Sequence, residues 1–392
     1  MLGNLINQAK DTAFEFSELE RLMSLDKAAR RLVIYGESEI QYRYYEDYID
    51  YLLANSDYDI CYISSHRQDS IFADKRSRLK TFYSKNLLAT LFSRLDSKVL
   101  VIANPDLNNG PIKRAPAPVH HVYAFRGIAS VHQAYRLHAF DHYDSLLTVQ
   151  QYQVDEIRKT EEIYGLKAKD LPVVGYPLTE RIWREHQKYE QDNKQRIKER
   201  PVCLVAPTWD AQSRSSILDV CQREMIEALG KTEFEVWLRP HPEYVKRFPD
   251  RMKEIEKNCA RTKNVRTKLE LGSMYCLHEA DLLVTDHSSI SMDYVLGTER
   301  PVVFINTPLR VDNPEVGKLG LEPVENTYRS RLGVELELAQ IADLTQTLQS
   351  SFENREAFEA SVPELRDRLV ANWQKAASVG GDYILDLLSK QG

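Results

Sequence analysis

Short apolar runs alternate with amphipathic stretches along most of the chain, and this alternation predicts its fold class. The runs are rich in valine, leucine and isoleucine and are bounded by polar residues, which is typical of strands buried in a parallel sheet. Strands that alternate with helices predict α/β domains with doubly wound, mostly parallel sheets. The predicted strands are residues 31–36, 58–64, 99–103, 119–125, 145–149, 172–175, 202–206, 234–238, 282–284 and 301–305.

The amphipathic stretches predict the helices and divide the chain into two domains. Hydrophobic residues recur at helical spacing in residues 2–23, 41–54, 151–164, 181–200, 217–229 and 289–296. The charged segment 181–200, with Trp183 as its main apolar anchor, is the predicted linker helix. We therefore predict a first domain over residues 1–178, a linker over 179–200 and a second domain over 201–392, whose C-terminal helices can pack back on the first.

One segment is strongly basic in an otherwise acidic chain. Between Lys75 and Lys98, seven basic residues accompany one acid, Asp96, and leucines and phenylalanines recur at helical spacing. This pattern predicts a basic amphipathic helix, which can lie on an anionic membrane leaflet with its apolar stripe in the interface. An ordinary surface helix packed on the sheet explains the same leucine stripe, and both interpretations stay open.

The most concentrated candidate chemistry lies in the polar turn 285–289, just after a predicted strand. It precedes a short helix that Gly297 is predicted to end. Hydroxyls and free backbone N–H groups at the start of a helix favour an anion, so the turn predicts a phosphate site. The alternative is that Asp286, Ser288 and Ser289 only cap the helix.

Two other predicted strands of the second domain also end in polar loops. Thr208 follows the strand 202–206, and Arg239 and His241 follow the strand 234–238. Carboxyl ends of parallel strands share one edge of a sheet, where ligands bind in open α/β folds. An arginine, a histidine and hydroxyls on one edge suit a pyrophosphate group.

Composition excludes several classes of protein. The net charge of -6 over 392 residues argues against a general nucleic-acid binder. Five scattered cysteines without a CxxC pair indicate reduced thiols rather than a disulfide framework. Without a bilayer-spanning apolar stretch or a secretory leader pattern, the chain is expected to be cytoplasmic.

Half of the ten histidines fall between His120 and His142, but their spacing is not that of a metal site. We expect no metal ion there. Some of these histidines are expected to be surface or core residues, and one or two to line the interdomain cleft as proton-transfer groups.

Three motifs in the second half resemble those of the CDP-glycerol glycerophosphotransferase family, which includes teichoic-acid primases and polymerases. Residues 205–209 (VAPTW) look like the family's Y-A-P-T-W block, and residues 238–242 (LRPHP) look like its R-x-H-P block. Residues 280–294 (ADLLVTDHSSISMDY) look like its A-D-x-x-I-T-D-Y-S-S…F-D-Y block. Their order and spacing together are specific, and the resemblance extends more loosely upstream through residues 174–177.

The resemblance implies a GT-B-like architecture, with an active site in the cleft between two Rossmann-like domains. It implies transfer of glycerol phosphate, or a related alditol phosphate, from a CDP-alditol to a hydroxyl of a lipid-linked or polymeric acceptor, with release of CMP. We expect no cofactor and a location in the cytoplasm, with peripheral contact at the inner face of the plasma membrane if the segment 75–98 lies on the leaflet.

The same resemblance assigns residues to the site. His241 and Asp286 would be catalytic, with His241 acting at the phosphates as a ligand or as a proton donor to the leaving CMP. The implied substrate-binding residues are Thr208, Arg239, Ser288, Ser289, Arg126, His287 and Asp293.

Arg126 is the main departure from the family pattern, because the family has a histidine at the position that precedes Gly127. A guanidinium does not lose its proton at neutral pH and cannot act as a base. We therefore expect another base, with His132 as first candidate and His138 in reserve. The open alternatives are a GT-B glycosyltransferase that uses a nucleotide sugar, and a relative that binds nucleotide or polymer without catalysis.

Overall fold

Two six-stranded, wholly parallel sheets form the framework of the chain. The computed structural model describes residues 2–110, 112–116, 118–211, 215–269, 274–309 and 312–390, with side chains from residue 11 onward. The strands are β1 (Leu32–Gly36), β2 (Ile60–Ser64), β3 (Leu79–Tyr83), β4 (Val99–Ile102), β5 (His120–Ala124), β6 (Ser145–Leu147), β7 (Val202–Val205), β8 (Glu235–Leu238), β9 (Val265–Thr267), β10 (Leu282–Thr285), β11 (Val302–Asn306) and β12 (Gly333–Glu337).

Helices connect these strands and cover both faces of each sheet. The α-helices are α1 (Leu2–Met23), α2 (Glu46–Asn55), α3 (Leu88–Arg94), α4 (Val131–Ala134), α5 (Gln151–Tyr164), α6 (Pro177–Asp192), α7 (Ile217–Val220), α8 (Gln222–Leu229), α9 (Pro242–Arg247), α10 (Pro249–Cys259), α11 (Tyr275–Glu279), α12 (Ile290–Thr298), α13 (Val324–Leu332), α14 (Leu344–Glu353), α15 (Arg355–Glu359), α16 (Val362–Leu369) and α17 (Ala376–Ser389). Across the described residues, no helix is both long and apolar enough to cross a membrane.

Both sheets are doubly wound, as the sequence predicts. The strand orders are β3-β2-β1-β4-β5-β6 and β12-β11-β10-β7-β8-β9. The direction of winding reverses between β1 and β4 in the first sheet, and between β7 and β10 in the second. At such a switch point the loops on either side diverge and leave a crevice at the carboxyl ends of the strands.

The predicted strands agree with the structure in the centre of each sheet and less well at its edges. The predicted strand 172–175 contributes only an isolated bridge between Thr148 and Val173. Three strands, β3, β9 and β12, were not predicted. In β12, Val334 and Glu335 are exposed, so an edge strand of this kind lacks the continuous apolar run of a central one.

The predicted basic helix 75–98 is wrong. Residues 79–83 form β3, which pairs with β2, and only Leu88–Arg94 is helical. Its apolar residues belong to the core of the first domain, where Phe82, Leu91, Phe92 and Leu95 are buried. Three of its basic side chains also have acidic partners: Arg76 with Asp50 and Asp74, Lys80 with Asp59, and Arg94 with Glu20. The apolar stripe is therefore not available to a membrane.

The crossover between the sheets is a packed helix rather than a free linker. Helix α6 begins at Pro177, and its residues Leu178 and Ile182 are buried against the second domain. Its main partner is α12. Gly297 lies inside α12, which ends at Thr298 with Glu299 in the left-handed conformation, so the predicted end at Gly297 is wrong. A Cβ atom at Gly297 would lie 2.5 Å from Cγ2 of Ile182, which explains the glycine by close helix packing.

The last described helix returns to the first domain. Helix α17 packs on α2, and a Cβ atom at Gly380 or Gly381 would overlap the rings of Tyr48 and Tyr51. Tyr51 also donates a hydrogen bond of 2.7 Å to Asp382. The C-terminal segment thereby joins the two domains a second time, in addition to α6.

We expect Gly297→Ala to destabilise the protein by roughly 1–3 kcal/mol, because overpacking at the rigid β-branch of Ile182 outweighs the gain in helix propensity. Chemical denaturation measures the change. Gly317→Ala is the matched control, since a Cβ atom there meets nothing within 4 Å. Equal stability of the two variants would show that the α6–α12 contact is not tightly packed.

Candidate functional site

Asp286 holds together the loops on both sides of the switch point in the second sheet. Its carboxylate is fully buried, and it accepts hydrogen bonds from the backbone N–H of Thr208 at 2.8 Å and of Ile217 at 3.1 Å. Burial raises the pKa of this carboxyl to about 6, against these two hydrogen bonds, which lower it. The predicted catalytic role needs correction, because a carboxylate with no exposed surface does not contact a substrate. Asp286 is a positioning residue.

Ser288 and Ser289 lie immediately beyond this anchor, before the first turn of α12. Ser289 is exposed and Ser288 half-buried, and neither hydroxyl makes a hydrogen bond with any described residue. Their backbone N–H groups likewise have no partner within the described ranges. The hydroxyls do not cap α12, so capping does not explain these serines. Hydrogen-bond donors without a protein partner at the start of a helix favour the binding of an anion.

His241 lies on the neighbouring strand end, after β8. Its Nδ1 accepts a hydrogen bond from the backbone N–H of Glu243 at 3.1 Å, which places the proton of a neutral imidazole on Nε2. The ring stacks on Trp209, with centroids 5.8 Å apart and an angle of 26°. The guanidinium of Arg247 lies 5.1 Å from the centroid of the same indole. The imidazole is thus held in one orientation with a donor on Nε2.

Arg239 and Thr208 complete this edge of the second sheet. Both side chains are half-buried. Burial and the charge of Arg43 lower the pKa of Arg239, although contact with Cys276 opposes this. Thr208 is fixed by its backbone bond to Asp286. The structure therefore gathers Thr208, Arg239, His241 and the two serines at the carboxyl ends of adjacent strands β8, β7 and β10.

The first domain faces this edge through the loop after β5. A Cβ atom at Gly127 would lie 3.7 Å from Oγ of Ser289, so the two domains meet at the serines. Arg126, beside Gly127, is half-buried and interacts with the phenols of Tyr123, Tyr135 and Tyr44. Burial lowers the pKa of Arg126, but the surrounding phenols together raise it, and the net shift is upward. Arg126 remains a cation, so it cannot be a base.

Asp293 joins the domains beside the cleft. Its carboxylate is 7% exposed and accepts a hydrogen bond of 2.6 Å from Oγ1 of Thr179 on α6. Burial raises its pKa to about 6, while Thr179 and Arg43 lower it. The hydrogen bond to the crossover helix gives Asp293 a structural contact, which the prediction of substrate binding did not include.

His287 is also occupied by the fold. Its Nε2 donates to the carbonyl oxygen of Thr307 at 2.8 Å, and burial lowers its pKa. A neutral imidazole with one nitrogen bound to the backbone orients the turn that carries the serines. This contact with the backbone accounts for His287 without the predicted substrate-binding role.

His132 does not suit the role of general base. It is 4% exposed, with Nε2 3.1 Å from the carbonyl oxygen of Leu321 and Nδ1 3.3 Å from a carboxylate oxygen of Glu156. Burial lowers the pKa of His132, but Glu156, the Leu321 carbonyl and Glu325 together raise it, and the net upward shift favours the protonated form. The reserve candidate, His138, is exposed, and its Nδ1 lies 2.7 Å from Asp141.

Sequence reasoning missed two residues of the cleft, Arg43 and Tyr44. One Arg43 nitrogen donates to the Tyr44 hydroxyl at 2.9 Å, and its buried Nε has no hydrogen-bond partner in the described chain. They lie in the 3-10 helix Glu39–Tyr44, which precedes α2. The tyrosine-rich composition of this stretch was the available signal, but its position opposite α12 depends on tertiary contacts. In the described residues no group of three or more histidine, cysteine, aspartate or glutamate side chains is arranged to hold a metal ion.

The sequence matches agree with these motifs. Residues 120–310 match the family model described as CDP-Glycerol:Poly(glycerophosphate) glycerophosphotransferase. The teichoic acid glycerol-phosphate primase of Bacillus subtilis (strain 168) is 25% identical over 182 residues, which are 44% of this chain and 42% of that protein. The match thus spans less than half the length of this curated relative. The predicted resemblance to the glycerophosphotransferase family is confirmed.

Solved structures confirm the predicted GT-B-like fold over nearly the whole chain. The wall teichoic acid polymerase TagF is similar with a TM-score of 0.60 and 14% identity, covering 98% of each chain. The UDP-GlcNAc 2-epimerase from Neisseria meningitidis has a TM-score of 0.56 at 11% identity, covering 92% of this chain and 99% of the epimerase. At these identities the likeness concerns the fold alone.

We expect Asp293→Asn to change how stability depends on pH. The pKa of Asp293 is about 6 in the folded chain and 3.8 ordinarily, so the folded chain binds a proton that the unfolded chain releases between these values. As pH falls from 8 to 4, the free energy of unfolding of the wild type should rise by roughly 2–3 kcal/mol relative to that of the variant. Denaturation at several pH values measures this difference.

Asp250→Asn is the control, because the exposed carboxyl of Asp250 has its pKa lowered by Lys253. The wild type should show no comparable gain in stability over Asp250→Asn at low pH. A pH-independent difference between wild type and Asp293→Asn would contradict the buried, proton-binding carboxyl.

Proposed function

We propose that this chain, which resembles the CDP-glycerol glycerophosphotransferase family, transfers an alditol phosphate from a CDP-alditol to an acceptor hydroxyl. The alditol is glycerol or a related polyol, and the acceptor is lipid-linked or polymeric. The acceptor oxygen forms a bond to the phosphorus that carries the alditol, while the bond from that phosphorus to the CMP oxygen breaks. CMP leaves as a dianion, and the acceptor proton passes to water.

The pair Ser288 and Ser289 carries this proposal. Two hydroxyls and two backbone N–H groups without protein partners lie at the switch-point crevice of the second sheet, next to β7 and β10. A pyrophosphate supplies several acceptor oxygens and negative charge, which such donors bind at a helix start. The donor pyrophosphate is therefore assigned to the turn before α12.

Arg239 and His241 follow β8 on the same sheet edge, where Arg239 supplies positive charge and His241 a hydrogen-bond donor to the same phosphates. The Nε2–H of a neutral His241 suits donation to the phosphate that leaves with CMP. Phosphoryl transfer depends mainly on positioning and charge stabilisation, without a covalent nucleophile. This arrangement needs no cofactor. Membrane contact of the enzyme would arise from its acceptor, since the apolar residues of the segment 75–98 are buried in the core of the first domain.

A panel of nucleotide-linked donors tests the reaction. We expect CMP release from CDP-glycerol or CDP-ribitol in the presence of a lipid-linked or polymeric acceptor. Release of UDP or CDP from a nucleotide sugar would instead establish a GT-B glycosyltransferase. Binding of CDP-alditols without turnover by any acceptor would identify a non-catalytic nucleotide-binding relative.

Replacing both serines, in Ser288→Ala/Ser289→Ala, should raise the Kd for CDP-glycerol by about tenfold to a hundredfold. Hydrogen bonds to charged groups contribute about 1.5–3 kcal/mol each. Calorimetric titration measures the donor Kd. The control, Ser361→Ala, changes another exposed serine that precedes a helix, α16. Unchanged donor affinity in the double variant would remove the pyrophosphate from this turn.

His241→Asn separates the chemistry of the imidazole from its role in the fold. Asparagine can accept the same N–H of Glu243 at the start of α9, so the thermal stability should remain close to that of the wild type. We expect kcat to fall by about 10²–10³-fold, as for loss of one positioned hydrogen-bond donor to the charge that develops on the leaving phosphate. Wild-type kcat in this variant would exclude His241 from the reaction.

A further inference from the structure

Arg126 is a cation without an anionic partner in a partly dry part of the cleft. Its guanidinium makes no hydrogen bond or ion pair with any residue that the structure describes. The groups that act on its charge most strongly are the phenols of Tyr123, Tyr135, Tyr44 and Tyr45. Removing an arginine from water without a paired acceptor costs free energy. A ligand anion at this position would offset that cost.

Two phenols beside Arg126 have hydroxyl protons left to donate. The Tyr44 hydroxyl accepts a hydrogen bond from Arg43 at 2.9 Å, and the Tyr135 hydroxyl accepts one from Tyr123 at 3.5 Å. An accepting hydroxyl keeps its own O–H for another acceptor. The carboxylate Glu325 also acts on Tyr135. Its Oε1 accepts the backbone N–H of Ser130 at 3.0 Å, and its buried Oε2 has no hydrogen-bond partner in the described chain, so the Tyr135 hydroxyl does not donate to it. This wall therefore offers one cation and two hydroxyl donors.

These groups lie over the switch point of the first sheet. The Tyr45 hydroxyl donates to the carbonyl oxygen of Tyr35 on β1 at 2.8 Å and accepts the backbone N–H of Ala103 after β4 at 2.6 Å. Arg126 acts on the same phenol. The neighbouring Gly127 faces Ser289 of the donor turn. Arg126 thus borders the crevice of the first domain, across the cleft from the proposed donor phosphates.

We propose that Arg126, with Tyr44 and Tyr135, binds a phosphate of the acceptor next to the attacking hydroxyl. The inference rests on the proposed function and specifies its acceptor class. The acceptor ends in a phosphorylated polyol rather than in a neutral sugar. Arg126 selects this end by charge and positions its hydroxyl toward the donor held at Ser288 and Ser289.

Two acceptors that differ only in the phosphate test this selection. Octyl phosphoglycerol has the phosphate beside the glycerol hydroxyls, and octyl glycerol ether lacks it. With CDP-glycerol as donor, CMP release should give the wild type a kcat/KM at least tenfold higher for the phosphorylated acceptor. In Arg126→Gln, this value should fall by about 10–100-fold for octyl phosphoglycerol, as for loss of hydrogen bonds to a charged group.

The same variant should leave the Kd for CDP-glycerol within threefold of the wild type. It should lower kcat/KM for octyl glycerol ether by much less than it lowers that for octyl phosphoglycerol. Arg126→Lys should retain part of the preference, because it keeps the charge without the planar fork of donors. Tyr44→Phe should reduce the preference in the same direction. Arg136→Gln, which removes an exposed arginine of the same domain, is the matched control and should change nothing.

Three results would overturn the inference. The first is an equal loss with both acceptors in Arg126→Gln, and the second is a weakened Kd for CDP-glycerol, which would place Arg126 at the donor phosphates. The third is a wild type without preference for the phosphorylated acceptor.

A wild type that releases no CMP from any donor would instead contradict the proposed function. Calorimetry with octyl phosphoglycerol and CMP-loaded protein then tests the subsite by itself. Binding that is lost in Arg126→Gln and kept in Arg136→Gln would support the subsite. Binding that both variants keep would overturn it.

Discussion

The cleft of this protein depends on one buried carboxylate, Asp286, at the point where the second sheet reverses its winding. Two loops that diverge from β7 and β10 would leave backbone N–H groups without partners there, and Asp286 accepts hydrogen bonds from the N–H groups of Thr208 and Ile217. A buried N–H group without a hydrogen-bond partner costs about 1–3 kcal/mol, so these hydrogen bonds strongly restrain the loops. The next residues along the chain can then present their own donors outward. The fold thereby places free hydroxyls in a rigid turn.

Helix α12 couples this turn to the rest of the molecule. Its first turn follows Ser288 and Ser289, and its flank packs against α6, where Gly297 allows Ile182 to approach. Asp293 on the same helix accepts from Thr179 of α6. The position of the first domain, including Arg126, is therefore fixed relative to the proposed donor site. The proposed donor and acceptor sites face each other because one helix both follows the serine turn and forms the interface.

The sequence predicted what depends on local pattern and failed where burial decides. Central strands such as β10 are continuous apolar runs and were placed correctly, whereas in β3 Leu79 and Phe82 also fit a helical period and were assigned to a helix. Asp286 and Ser288 share one motif, but only the structure shows that the first is fully buried and the second is accessible. Likewise, Arg43 and Tyr44 lie far along the chain from Arg126, so only the tertiary contacts bring them together.

A crystal structure of the protein with CDP-glycerol bound would show whether the turn at Ser288 and Ser289 holds the donor pyrophosphate. We predict pyrophosphate oxygens within about 2.7–3.1 Å of the hydroxyls or backbone nitrogens of Ser288 and Ser289. We also predict that the imidazole of His241 faces the phosphate of the CMP moiety. A pyrophosphate bound elsewhere, with the serine turn left to solvent, would contradict the assignment of the donor site.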